Sequence, residues 1–560
     1  MILVLSILIF VTTSTTLGIL LCDLFGSLTN FIALFSLFLG LGAGALTFLK
    51  LRNEVPGFKI RNRSGRLMTI CFVIFMFRHF LWTVFEKKGS VYVSDASNFV
   101  DLPKHILYIN FFSRGAHFWP ADPYFLNGKL TYYFGTDFFS SLFTKLGASY
   151  VTYVPFMGFI AALLLIVTLY FWGGAFALGA FVFSGGAYSL KYFSTFQLED
   201  YQLDMAWRNL VPIFSSQRGY LYAFPAGLIL LWSWRKRFFL DLDEKEPPLP
   251  ALVEGLLWGT MPFFQTYTFF FLSFVFVCWT ITTKKIKSSL PTLFWATPIA
   301  IYEVTKVTNW FEAKSLIKFH LGWMIKNDNV FLFFWNNYGL FAPLAVVMTF
   351  ISFRNSRAFK QLLPGTLLYG ACFLILFAPY DWDNNKIMIW SYLASLPLMY
   401  DLCLRPLPPR IRTFVLILLF IPGLISVGIK SSPKYAIYPI YEVNTQKTIC
   451  AALDDYPPEL RVASAQIHLN PFLLCGQSVV APYGSLFWSL GHNAEPTQAN
   501  LYRLMVGKND WRLIAKDLQA RFLFWGPNEE KQFPGSTRPW ESSSKIIAQG
   551  PWGKLYDLGE

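Results

Sequence analysis

Asp101 opens the stretch of this chain best furnished for chemistry. The segment Ser94-Asp95-Ala96-Ser97-Asn98-Phe99-Val100-Asp101-Leu102-Pro103-Lys104-His105 brings two carboxylates and a histidine close together. Asp101 precedes a helix-like run, Leu102 to Phe112, with Pro103 near its start. Aspartate is a favoured N-cap, and proline is tolerated in a first turn. The cap would also fix a carboxylate in place as a general base. Asp95, the first carboxylate of the same loop, is the alternative base. His105 lies one helical turn on from Asp101, on the same face. It would hydrogen-bond Asp101 or contact a phosphate, although a lone histidine is more often an ordinary surface residue. The six histidines are scattered without His-x-x-x-His spacing, which speaks against zinc. No dedicated metal-ligand cluster is legible, and a divalent cation is left open.

Three further places pair charge with apolar surroundings. Gln217-Arg218-Gly219-Tyr220 stands before one apolar run, and Asp381-Trp382-Asp383-Asn384-Asn385-Lys386 joins two others. Asp137 falls just inside an apolar run, where an ionised group is costly and a functional role is the default reading. Taken singly, Arg218 and Lys386 read as snorkelling cations. Together they set cations near the surface that carries Asp101, which suits a phosphate-bearing lipid. The chain has no Walker A motif, no G-x-G-x-x-G after a strand and no G-x-S-x-G elbow. Nucleotide hydrolysis and serine-hydrolase chemistry therefore have no support.

The elements that must position these residues are mostly membrane helices. The chain is 54% hydrophobic, 19% aromatic and only 14% charged. Apolar runs near 2–22, 29–49, 67–86, 132–147, 150–171, 219–234, 250–264, 265–283, 288–304, 330–352, 361–379, 386–403 and 411–429 give about thirteen crossings, with the Gly-rich 172–190 joined to the span before it. The net charge of +14 sits in short loops beside these runs, as in Lys50–Arg66, Arg235–Arg237, Lys284–Lys287, Arg354–Lys360 and Arg405–Arg412. That is the positive-inside pattern, not a nucleic-acid surface. It predicts a cytoplasmic N-terminus and 50–66 loop. It puts 87–131, 191–218, 305–329, 380–386 and the tail outside. The first span lacks a basic leader and a small-residue cleavage site, so it reads as a retained helix.

From about 430 the chain becomes more polar. Short apolar runs (461–467, 478–481, 521–525, 545–548, 554–558) alternate with helix-like segments (445–455, 498–506, 511–520), the pattern of a small α/β domain. Of seven cysteines only Cys450 and Cys475 fall in this tail. An oxidising exterior would permit a bridge between them; two unrelated core thiols are the alternative.

The order of these motifs resembles the GT-C superfamily of membrane glycosyltransferases. It is closest to the bacterial and archaeal membrane proteins named for a Tyr-Tyr-Tyr motif. The matching residues are Asp101, then Pro120, Asp122, Pro123 and Tyr124, then Tyr132-Tyr133-Phe134-Gly135, with Thr131 where the first tyrosine would stand. Asp101, Pro103 and His105 match an Asp-x-Pro-x-His run. Gln217-Arg218 and Trp382-Asp383-Asn384-Asn385-Lys386 match two further elements, and Ala481–His492 a last one in the tail. The resemblance implies an α-helical polytopic membrane protein with a small C-terminal α/β domain. The implied units are a 1–66 hairpin with its basic loop, a 67–429 core with a catalytic loop 87–131, and an outer domain 430–560. It implies transfer of a sugar from a polyprenyl-phosphate-linked donor to a glycan, lipid or protein acceptor, at the outer face of a bacterial cytoplasmic membrane. Asp101 or Asp95 would be the base. His105, Asp122, Tyr132, Tyr133, Asp137, Gln217, Arg218, Asp383, Asn384 and Lys386 would bind donor phosphate or substrate. Membrane lipids would be its surroundings and nucleic acid no partner. A transporter or flippase, and a non-catalytic scaffold with an envelope-binding tail, are the competing readings.

Overall fold

The computed structural model describes residues 1–559 except 56, 59, 61–62, 127, 196–209, 240–247, 311–316, 326–328, 431–436 and 484–492. The tail motif at 481–492 thus lies mostly outside the described residues. The chain opens with a helical hairpin, α1 (Ile2–Phe25) and α2 (Asn30–Leu51). Gly26 ends α1 at φ 98, and Thr29 caps α2 by accepting from the Ile32 amide at 3.2 Å. Gly40 and Gly44 of α2 lie against Ser14, Phe10 and Ser6 of α1, with no room for a Cβ. Small residues of this kind let two apolar helices approach closely.

After α3 (Arg63–Leu81) come a two-stranded hairpin, β1 (Val84–Lys87) and β2 (Ser90–Ser94), and the helices α4 (Ala96–Ser113), α5 (Gly135–Lys145) and α6 (Tyr150–Val182). Helix α6 is broken inside at Gly173 and Gly174, the latter at φ 63. The helix Gly219–Phe239 runs through the middle of the bundle and is buried on nearly every face. Around it stand Thr266–Thr283, Ile286–Val307, Ser356–Ala371, Asn385–Met399 and Pro409–Lys430. A pair of short strands, β3 (Lys318–Phe319) and β4 (Ile375–Leu376), closes antiparallel at the loop ends.

Among the described residues six helices are long and apolar enough to cross a membrane, or seven if the pair Val330–Tyr338 and Phe341–Ser352, bent by 103°, is one span. The chain is an integral membrane protein, and the described residues do not confirm the expected count of about thirteen crossings. The run 132–147 forms only the 11-residue α5. At 1.5 Å per residue that is about 17 Å, against a hydrocarbon core of about 30 Å. Asp137 therefore lies in the first turn of a short helix rather than inside a span. Gly219–Phe239 and Ile286–Val307 are long enough but fall short in apolar composition.

The tail begins with β5 (Ile437–Glu442), which adds antiparallel to β2 and so builds a three-stranded sheet with the hairpin before α4. A second, four-stranded sheet follows in the order β6 (Arg461–Ala463), β7 (Ala520–Trp525), β9 (Gly553–Asp557), β8 (Lys545–Gly550). Its β6–β7 pair is parallel and the others antiparallel. The helices Val443–Ala451, Glu495–Val506 and Trp511–Asp517 accompany it, and Leu504, Met505, Leu523, Trp540 and Tyr556 fill a core of its own. Cys450 and Cys475 are joined, with Cα atoms 5.2 Å apart. The segment after this bridge is clamped to α4. Asn110 donates to the Leu474 carbonyl at 2.7 Å, and Arg114 reaches Gln477 Oε1 at 2.8 Å and the carbonyls of Leu453 and Tyr456. The tail thus sits directly on the helix that carries Asp101.

Candidate functional site

Helix α4 starts earlier than the sequence suggests. Its cap is Asp95, at φ 69, whose carboxylate accepts from the Ser97 amide at 2.8 Å. Asp101 is accordingly an interior residue of α4 rather than its cap, and Asp95 is occupied in holding the helix start. Pro103 is tolerated inside the helix because the carbonyl it deprives of a donor, Phe99, accepts from His468 Nε2 of the tail at 2.8 Å.

Asp101 heads a hydrogen-bonded ladder that crosses between separate stretches of the chain. Gln217 Nε2 donates to Asp101 Oδ2 at 2.7 Å. Tyr133 OH lies 3.4 Å from Gln217 Oε1, and Lys386 Nζ donates to Tyr133 OH at 3.1 Å. Lys386 pairs with Asp383 at 2.9 Å, and Tyr267 OH donates to the other oxygen of Asp383 at 2.9 Å. Asp101 Oδ1 has no partner among the described residues, so one face of the base is open to an acceptor.

A second network runs alongside. Asp137 takes His105 Nδ1 at 2.7 Å on one oxygen and Arg218 Nε at 2.9 Å on the other, and Arg218 Nη2 donates to Ser140 Oγ at 2.7 Å. All three ionisable groups are buried. His105 thus bonds Asp137 and not Asp101, as the face argument had suggested. Helix α5 packs against α4 and presents Asp137 from its first turn, nearer the ring. The two networks are joined through neighbours in sequence, Gln217 with Arg218 and Tyr132 with Tyr133. The Tyr132 ring stacks on Tyr133 at 4.3 Å and on Tyr108 at 5.5 Å, and Lys104 Nζ lies 4.2 Å from its centre. Burial pushes the Lys104 ammonium below its ordinary pKa, while Asp101 opposes that shift.

Two predicted residues serve elsewhere. Asp122 is buried in its own turn, where its Oδ1 accepts from the amides of Tyr124 (2.7 Å) and Phe125 (3.1 Å). Burial raises its carboxyl to about 6. Asn384 spans the turn before its helix, donating to the Cys372 and Ile375 carbonyls and accepting from the Phe377 amide. Its amide is consumed by backbone.

The backbone that aims these side chains is set by a wedge. In Met261–Gln265, the Phe263 carbonyl presses on Gly135 and the Phe264 carbonyl on Gly219. These glycines follow Tyr133-Phe134 and Arg218 in sequence, so the wedge fixes both site strands of chain. Glu303, buried, accepts from the Phe263 amide at 3.1 Å and holds the wedge in turn. Sequence reasoning missed Tyr267, Lys104, Ser140 and His468. Lys104 had a usable signal, three residues from Asp101 on one helix face; Tyr267 had none among 27 tyrosines. As a cation site the cluster does not fit: each carboxylate already faces a protein donor, and no group of three or more potential ligands occurs among the described residues.

No family model matches the chain, and no curated protein matches it. Among solved structures, the archaeal oligosaccharyltransferase AglB from Archaeoglobus fulgidus, in complex with an inhibitory peptide and a dolichol-phosphate, aligns with a TM-score of 0.41 and 9% identity, over 83% of this chain and 69% of that one.

Proposed function

We propose that this protein is a GT-C-type membrane glycosyltransferase that moves a sugar from a polyprenyl-phosphate-linked donor to a hydroxyl-bearing acceptor at the outer face of the membrane. The observation that carries this reading is the ladder from Asp101 to Lys386. It sets a carboxylate with a free oxygen at one end and a cation at the other, where the polar tail meets an apolar bundle. That is the equipment of a displacement at an anomeric carbon. Asp101 removes the acceptor hydroxyl proton. The acceptor oxygen bonds to the anomeric carbon, the bond from that carbon to the phosphate oxygen breaks, and its electron pair stays on the lipid phosphate. Fixed cations stabilise that charge as it develops. Gln217 holds Asp101 without adding charge, and Asp137 orients His105 and Arg218.

The test is turnover by the purified full-length protein in lipid nanodiscs, with polyprenyl-phosphate sugars supplied and products read by mass spectrometry. Asp101→Asn is expected to lose about 10²–10⁴-fold at unchanged expression and melting temperature. Near-normal turnover by that variant rejects Asp101 as the base. Unchanged lipid-linked sugars and glycans in a deletion strain reject the reaction class.

A further inference from the structure

The three cations of the site are not equivalent. Arg218 is committed to Asp137 and Ser140, and Lys386 to Asp383 and Tyr133. Lys104 has neither a hydrogen bond nor a carboxylate within ion-pair reach among the described residues. Its Nζ rests over the Tyr132 ring, on the helix face it shares with Asp101. Beside it, the hydroxyls of Tyr132 and Tyr108 are buried without partners. An unmet buried donor costs about 1–3 kcal/mol, so a free lysine next to two such hydroxyls is a poor design for an empty or apolar niche. It is a good one for an anion with several acceptor oxygens.

Charge sets how large that anion is. Arg218 is paired with Asp137 and Lys386 with Asp383, so Lys104 is the one cation of the cluster left to face a ligand. A sugar-linked polyprenyl monophosphate donor is a phosphodiester with one negative charge, which one lysine matches, whereas a diphosphate-linked donor carries two. Resting on the glycosyl-transfer reading above, we propose that Lys104, with the Tyr132 and Tyr108 hydroxyls, binds the donor's phosphate, and that the donor is a polyprenyl monophosphate ester rather than a diphosphate. When the bond from the anomeric carbon to the phosphate oxygen breaks, the leaving phosphate gains its charge beside Lys104, while the acceptor's proton goes to Asp101.

Binding of farnesyl phosphate, farnesyl diphosphate, farnesol and dioleoyl phosphatidic acid to the full-length protein in uncharged nanodiscs tests this by calorimetry. Farnesyl phosphate is expected to bind wild type at least ten-fold more tightly than Lys104→Met. Lys104→Arg should recover most of the affinity, and farnesol should be indifferent to both changes. Tyr132→Phe, which removes one hydroxyl, should weaken farnesyl phosphate several-fold and keeps the test alive if Lys104→Met is unstable. Wild-type affinity in both Lys104→Met and Tyr132→Phe overturns the site. Ten-fold tighter binding of the diphosphate overturns the monophosphate assignment, and equal binding of phosphatidic acid overturns the isoprenoid one. Failure of wild type to bind any lipid phosphate sinks the glycosyl-transfer reading itself, a result distinct from failure of the Lys104 variants alone.

Discussion

His468 of the tail donates to the Phe99 carbonyl at 2.8 Å, replacing the helical donor that Pro103 lacks. A proline in a helix interior removes one amide hydrogen bond and leaves an acceptor bare. Here the bare acceptor lies two residues before Asp101, and the tail satisfies it. The His468 ring also packs on Phe99 and Tyr483. The tail is therefore a structural part of the helix that presents the proposed base.

That relationship predicts coupling between two positions far apart in sequence. His468→Ala should lower stability by about 1–3 kcal/mol, the cost of an unmet acceptor and lost packing. In a Pro103→Ala background the new amide can serve the Phe99 carbonyl, so the same His468→Ala change should cost about 1 kcal/mol less. Thermal unfolding of the four proteins in detergent measures this. Additive effects would show that the bond does not compensate the proline.

Asp122 supplies a pH dependence with a definite sign. Burial raises its carboxyl to about 6, opposed by the Tyr124 amide, the Arg461 charge and the Phe125 amide. In the unfolded chain an aspartate titrates near 3.9. The folded state thus holds the proton more tightly, and this group's contribution is fully present below about 4, falls as pH rises through 6, and is flat above. Asp122→Asn keeps the oxygen that accepts from Tyr124 and Phe125 and removes the charge. It should raise the melting temperature at pH 7.5, and the difference from wild type should shrink between pH 6.5 and 4 by on the order of 3 kcal/mol. A difference independent of pH would refute the assignment. Asp122→Ala should destabilise at every pH, because both amides lose their acceptor.

Much of the site was legible because charge is scarce in this chain. With apolar residues all round, Asp101, His105, Asp137, Arg218, Asp383 and Lys386 stood out, and they converge in two adjoining networks. Pairwise partners were not legible. Helix periodicity put His105 with Asp101, but periodicity cannot report a neighbouring helix, and α5 delivers Asp137 to the ring instead. The cap was misplaced because two aspartates precede Pro103 and only tertiary contact tells them apart. Asn384 looked like a ligand by its company, yet backbone carbonyls claim it. Span counting failed at 132–147 because an apolar run does not distinguish lipid from a protein interior. In the tail the runs 461–467, 521–525, 545–548 and 554–558 coincide with β6, β7, β8 and β9 and the three helix-like segments with helices, whereas 478–481 forms only an isolated bridge at Val479 and β5 was not anticipated, because it is defined by its pairing with β2.

The bridge between Cys450 and Cys475 closes a loop with a sequence separation of 25. In the chain-entropy model a loop of that size contributes about 3 kcal/mol. Its neighbours Asn110, Arg114 and Gly476 tie the same segment to α4. Replacing both cysteines by serine should therefore lower the melting temperature and also reduce turnover, through a looser α4. Non-reducing peptide mapping checks the bridge itself: two thiols that alkylate without prior reduction would rule it out.

The last prediction concerns Gly219, which follows Arg218 directly. A methyl group there would collide with the Phe264 carbonyl and approach the Tyr133 ring. The collision is with backbone, and that backbone is held from behind by Glu303 through the Phe263 amide. Neither side can yield cheaply, so the displacement falls on Gln217 and Arg218. Those residues hold Asp101 and Asp137. Gly219→Ala should cut turnover by 10²-fold or more, since misplacement of about 1 Å has that effect on oriented groups. It should leave the membrane-inserted yield close to wild type. Gly428→Ala, in the helix Pro409–Lys430 where nothing lies within 4 Å, is the control and should be active. Glu303→Gln, which keeps an acceptor for the Phe263 amide, should be far milder than Glu303→Ala. If Gly219→Ala turns over normally, the wedge at Met261–Gln265 does not set the geometry of the site.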